Sequence, residues 1–291
     1  MKLTHSRAVG VMVVVALLWS MAGVVTRQLE SARSFEVTFL RSFFTAVALL
    51  VMLPAWQGRS VFTRIRRAGG ALWLSGVCWS VMFTAFMLAL TLTTVANVLV
   101  TLAMGPFLTA LVSWGVIGHR LLPRTWLAIA VAGGGIAWMY AGQADFSNQW
   151  AGIAVALAVP IAAACNWTVV QHSRQAGEPV DLVPAVLVGA VLSSVATLPL
   201  AFPLQATLHD VGLLAMLGVF QLAIPCVLAV MCAGVLKAPE VSLLALLEVI
   251  FGILLAWVGA GEVPGPNVMV GGLLVISALV VNELMGWIKK T

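Results

Sequence analysis

Apolar runs of about 20 residues recur from one end of this chain to the other, and no other feature constrains its fold as much. As a helix, a run of that length crosses a hydrocarbon core about 30 Å thick. Of the 291 residues, 62% are hydrophobic and 9% are charged. Soluble domains carry roughly 25% charged residues, so this chain lacks the polar surface to face water. An all-α, multi-pass membrane protein follows, and the lipid bilayer is its first partner.

Ten spans are expected, over about 8–26, 36–57, 69–91, 95–118, 124–142, 150–171, 181–203, 208–232, 239–259 and 267–287. The breaks between them are basic (58–67), Pro-containing (119–124) or polar and Gly/Pro-rich (142–149, 172–181, 261–267). Charge sets the orientation. With the N-terminus inside, twelve of the 15 Lys and Arg residues fall in inner segments. Arg27 and Arg33 fall outside, and Arg41 lies within span two. Both termini are therefore expected on the cytoplasmic face of a bacterial inner membrane. Span one has a basic start, as a signal peptide would, but no convincing small-x-small cleavage site follows and span six is its natural counterpart, so it is expected to be retained.

Ten spans divide into two fives, 1–142 and 143–291. An odd number of crossings turns the second half upside down relative to the first, the arrangement of inverted-repeat secondary transporters. Residues agree at an offset of 143: Val98 with Val241, Leu111 with Leu254, Trp114 with Trp257, and Gly118 with Gly261. Small residues agree too, Ala128 with Gly271 and Gly135 with Ala278.

Residues 239–262 carry a carboxylate, Glu248, in mid-span. A charge there costs a few kcal/mol even on lenient scales, about 2.5–3.5, so it faces a wet cavity or is neutralised. Other polar residues deep in spans are Asn97 and Thr101, spaced with Met104 along one helical face, then Asn166 beside Trp167, and Gln221 four residues before Pro225. Each Asn or Gln is either a ligand or interhelical glue. Trp19, Trp79 and Phe83 lie deep, where they form either an aromatic wall or a lipid-facing surface. Arg41 is expected to snorkel to the outer interface. Other tryptophans near span ends fit an interfacial belt.

The four cysteines lie in apolar runs without ligand spacing, and no metal is expected. HExxH, GxSxG and P-loop patterns are absent, as is a GxGxxG followed by an acidic residue. Neither an enzyme nor a cofactor is therefore expected. The basic balance of +5 is explained by topogenic charge, and no nucleic-acid partner is implied.

With LLWSMAG in span one, Arg41 early in span two, and LLEVIFGILLAWVGAGEVPGPNVMVGG at 246–272, the chain resembles the drug/metabolite transporter superfamily in its ten-helix form with two EamA-like repeats. Two departures stand out. His119 replaces the acidic residue of the family's Gly-Glu ending, and Val249 stands where a proline commonly follows the mid-span glutamate. The resemblance implies export of small metabolites, with amino acids, including aromatic ones, as the specific expectation. A nucleotide-sugar or drug carrier is the alternative within the class. An intramembrane enzyme, a channel or a scaffold are alternatives outside it. The candidate substrate-binding set is Trp19, Trp79, Phe83, Asn97, Thr101, Met104, Asn166, Trp167, Gln221 and Glu248; the sequence does not set the oligomeric state, and a monomer is compatible with it.

Overall fold

The computed structural model describes residues 3–26, 28–93, 95–118, 121–141, 150–175, 181–260 and 265–288. His119, Gly261, Glu262 and the polar loop 142–149 lie outside the described residues. Every regular element among the described residues is helical: α1 (His5–Thr26), α2 (Ser34–Gln57), α3 (Ser60–Arg67), α4 (Gly70–Leu92), α5 (Val95–Leu102), α6 (Gly105–Ile117), α7 (Pro123–Tyr140), α8 (Trp150–Gln175), α9 (Pro184–Ala201), α10 (Leu208–Met216), a π-helical turn (Leu217–Ala223), α11 (Ile224–Ala233), α12 (Ala238–Ala245), α13 (Leu247–Ala260) and α14 (Pro266–Ile288).

Among the described residues, eight helical segments are long and apolar enough to cross a membrane. They coincide with spans one to four and six to nine of the sequence reading. Spans five and ten fall on α7 and α14, the latter apolar over Pro266–Asn282. The basic stretch after span two is not a plain loop. It forms the short helix α3, with Val61 buried and its arginines exposed.

Two spans are broken, and in matching places. Span four stops at Leu102, turns through Ala103 and Met104, and restarts at Gly105. Span nine stops at Ala245, turns at Leu246, and restarts at Leu247. The break at Ala103 lies 143 residues before the one at Leu246, so the offset seen in the residues also holds in the backbone. A third irregularity follows from Pro225. Its ring would strike the carbonyl four residues back, that of Gln221, and it has no N–H to donate. The chain widens into the π-helical turn just there, and such turns are frequent at functional sites.

Packing repeats the same symmetry. Pairing α1 with α8, α2 with α9, α4 with α10–α11, α5–α6 with α12–α13, and α7 with α14 maps the main contacts onto one another. Thus α8 packs on α4 and α6, while α1 packs on α11 and α13. The contacts α2 with α9 and α7 with α14 map onto themselves. The halves are therefore interlaced, because the first helix of each packs among the helices of the other.

Small residues make this possible. A Cβ on Gly135 of α7 would sit 2.8 Å from the Gly271 carbonyl of α14, so these two backbones touch. Gly218 in the π-helical turn meets α2 the same way, 2.9 Å from the Arg41 carbonyl. The Thr45 hydroxyl donates to the carbonyls of both Arg41 and Gly218 there, at 2.7 and 3.0 Å.

At one end of the bundle, two fully buried carboxylates tie loops together. Asp210 accepts the backbone N–H groups of Glu30, Ser31, Ala32 and Thr207. Glu36 accepts those of Arg33, Gln205 and Ala206. Each carboxylate thus belongs to one half and holds a loop of the other.

Candidate functional site

A chamber of about 160 Å³ opens in mid-bundle, between α4, α5–α6 and α8 on one side and α1, the π-helical turn, α11 and α12–α13 on the other. Both helix breaks border it, through Gly105 and Leu246. Its walls differ. The α4 and α8 side is apolar and aromatic, with Trp79, Phe83, Phe86 and Trp167. Trp79 meets Phe83 at 5.5 Å, tilted, and Trp167 edge-on at 5.6 Å and 87°. Edge-on and tilted rings of this kind attract beyond simple burial. The opposite wall carries Trp19, Gln221, Cys226, Ser242 and Glu248.

Six of the ten sequence candidates line this chamber: Trp19, Trp79, Phe83, Trp167, Gln221 and Glu248. Trp79 and Phe83 face inward, not toward lipid, because α8 and α9 both pack on α4. The other four sit elsewhere. Asn166 is buried between helices, and its carbonyl accepts the Ser75 hydroxyl of α4 at 2.6 Å. Asn97 donates to the Thr93 hydroxyl at 2.8 Å, and its backbone carbonyl accepts from Thr101 at 2.7 Å. Met104 lies in the break of span four and is 44% exposed. The face expected to run from Asn97 to Met104 therefore ends at Leu102, where the helix stops ahead of Gly105 and Pro106.

Arg41 overturns its expectation. It does not snorkel. It is 1% exposed and lines the chamber, donating to the Phe83 carbonyl at 3.3 Å. The reason is local packing. α2 packs against the π-helical turn, where a Cβ on Gly218 would lie 2.9 Å from the Arg41 carbonyl, so Arg41 sits on an interior face of α2 and not on a lipid-facing one. Glu248 lines the same chamber. The ion pairs recorded within 4.0 Å among the described residues are elsewhere, His5 with Glu240 and Arg64 with Asp181. Among the described residues the chamber thus holds one cation and one anion, with no ion pair between them. A sequence signal for Arg41 existed. It is a cation within an apolar span, and such residues mark ligand or ion paths by default.

Interlaced helical halves, helices long enough to cross a bilayer and a mid-bundle chamber define a polytopic membrane protein of the repeat-built transporter class. The family model of the EamA-like transporter family matches the chain twice, over residues 6–141 and 150–283, and the chain belongs to that family, whose members are membrane transporters of small molecules. A crystal structure of a protein 17% identical in sequence superposes with a TM-score of 0.80, covering 98% of this chain and 99% of its own, a likeness of fold. The search of curated proteins found no match.

Proposed function

We propose that the chain is a secondary transporter that exports small metabolites, with amino acids and in particular aromatic ones as substrates, across the bacterial inner membrane by alternating access. In this reading it has ten crossings, the halves 1–142 and 143–291 are inverted repeats, and both termini lie in the cytoplasm, as the Lys and Arg distribution directs. The observation that carries it is the chamber, walled by helices of both halves beside two matched helix breaks, with an aromatic wall and both signs of charge. Discontinuous helices at a repeat interface are where such transporters hold their cargo. Among the described residues Arg41 is the one cation lining the chamber, which disfavours a polyanionic nucleotide sugar, since phosphates call for several cationic contacts.

The test is counterflow with the purified protein in proteoliposomes. Saturable exchange of labelled L-phenylalanine, inhibited by a subset of unlabelled amino acids, is the expected result. A non-saturable flux would make the protein a pore. Exchange inhibited by a nucleotide sugar and not by amino acids would replace the cargo class.

A further inference from the structure

Resting on that transport reading, we propose that the chamber selects the free head group of an α-amino acid, with Arg41 and Trp79 taking its carboxylate and Gln221 and Glu248 its ammonium. Three buried polar atoms on the chamber residues have no hydrogen-bond partner within the protein: Arg41 Nε, Trp79 Nε1 and Gln221 Oε1. Buried polar groups are nearly always paired, and a bare one is destabilising. Bare groups gathered around one cavity mark where a ligand's own polar groups belong.

Their chemistry specifies the ligand. The guanidinium and the indole N–H donate and never accept, so they call for an acceptor, and a carboxylate suits a guanidinium best. Gln221 Oε1 accepts, so it calls for a donor. Its own amide N–H₂ is already turned to the Trp19 carbonyl at 3.4 Å, which fixes the oxygen as the free end. Glu248 also accepts when ionised, and its carboxylate makes no hydrogen bond recorded among the described residues. Trp79 on α4 stands across the chamber from Gln221 and Glu248, on the π-helical turn and α13, and Arg41 enters from α2, which packs beside the π-helical turn.

A zwitterion satisfies both the donors and the acceptors at once. An amine alone leaves Arg41 and Trp79 bare, and an acid alone leaves Gln221 and Glu248 bare. Esters, N-acyl amino acids and peptide ends each lack one of the two groups. The substrate side chain then meets the Trp79, Phe83 and Trp167 surface, where an aromatic or large apolar group packs.

The experiment is competition against counterflow of labelled L-phenylalanine by unlabelled L-phenylalanine, phenethylamine, 3-phenylpropionate and N-acetyl-L-phenylalanine. The free amino acid is expected to compete at least about tenfold better than each analogue, the scale of one charge-assisted hydrogen bond. Trp79→Phe keeps the ring and removes the indole donor. It is expected to weaken L-phenylalanine about tenfold and leave phenethylamine unchanged. Arg41→Gln is expected to act in the same sense, and Glu248→Gln to weaken L-phenylalanine while leaving 3-phenylpropionate unchanged. If phenethylamine or 3-phenylpropionate competes as well as L-phenylalanine in the unaltered protein, the head-group assignment falls and the transport reading stands. If no saturable counterflow of L-phenylalanine occurs, both fall.

Discussion

The two broken spans open at matching places and differ in chemistry. After its break, span four continues Gly105-Pro106, and span nine continues Glu248-Val249 at the matching positions. The first has no side chain facing the chamber at this point and the second presents a carboxylate there. Pro106 cannot be the general cause of a break, because span nine breaks without one. What the two share is their setting. Each break packs where α6 meets α12, and a Cβ on Gly105 would lie 3.3 Å from the Ser242 hydroxyl. The symmetry of the fold thus fixes where the helices open. The asymmetry of the residues fixes which side of the chamber is charged, and Arg41 from the first half supplies the opposite sign.

The sharpest way to break this comparison is Glu248→Gln. It removes the charge and keeps the shape, and transport is expected to fall on the order of 100-fold, as for one partner of a desolvated charge pair. Counterflow in proteoliposomes measures it. Unchanged transport would make the two breaks equivalent after all.

Gly135→Leu tests the symmetric scaffold instead of the charge. With the Gly271 carbonyl 2.8 Å from its Cβ, the side chain has no room. We expect about 1–3 kcal/mol of lost stability, read as a lower melting temperature in detergent. Gly105→Ala is milder. Its methyl presses on Ser242 across the two breaks, and transport is expected to drop by about threefold, less than one kcal/mol, a change an adjustable hydroxyl can absorb. The smallest effect belongs to Pro106→Ala. Because Val249 serves at the equivalent place, the break should persist and transport should stay within about twofold, with stability changed by less than about 1 kcal/mol. A large loss there would show that the first break depends on its proline as the second does not.

Several elements were legible in the residues for definite reasons. Glu248 could be read because a mid-span charge has few places to go. Gln221 stood out through Pro225, which forces a change in helix geometry four residues earlier. Asn166 and Asn97 carried the same outward signal, yet their amides turn to Ser75 and Thr93. Nothing in a single helix distinguishes a polar group facing a cavity from one facing a neighbouring hydroxyl, because the partner is many residues away in sequence. Arg41 was misread for a related reason. Snorkelling requires that the residue's helix face meet lipid, and the packing of α2 on the π-helical turn, far along the chain, turns that face inward.

The sequence alone determined the solvent, the helical class and the repeat. Composition excludes water as a surrounding medium, run length follows from bilayer thickness, and the offset of 143 is a property of the residues themselves. Tertiary structure alone decided which side chains share the chamber. Several helices bury more than one polar group, and only the interlaced packing, with α1 among α11–α13 and α8 among α4–α6, selects the faces that meet in the chamber. That selection is a matter of steric fit between distant segments, which no periodicity within one segment encodes.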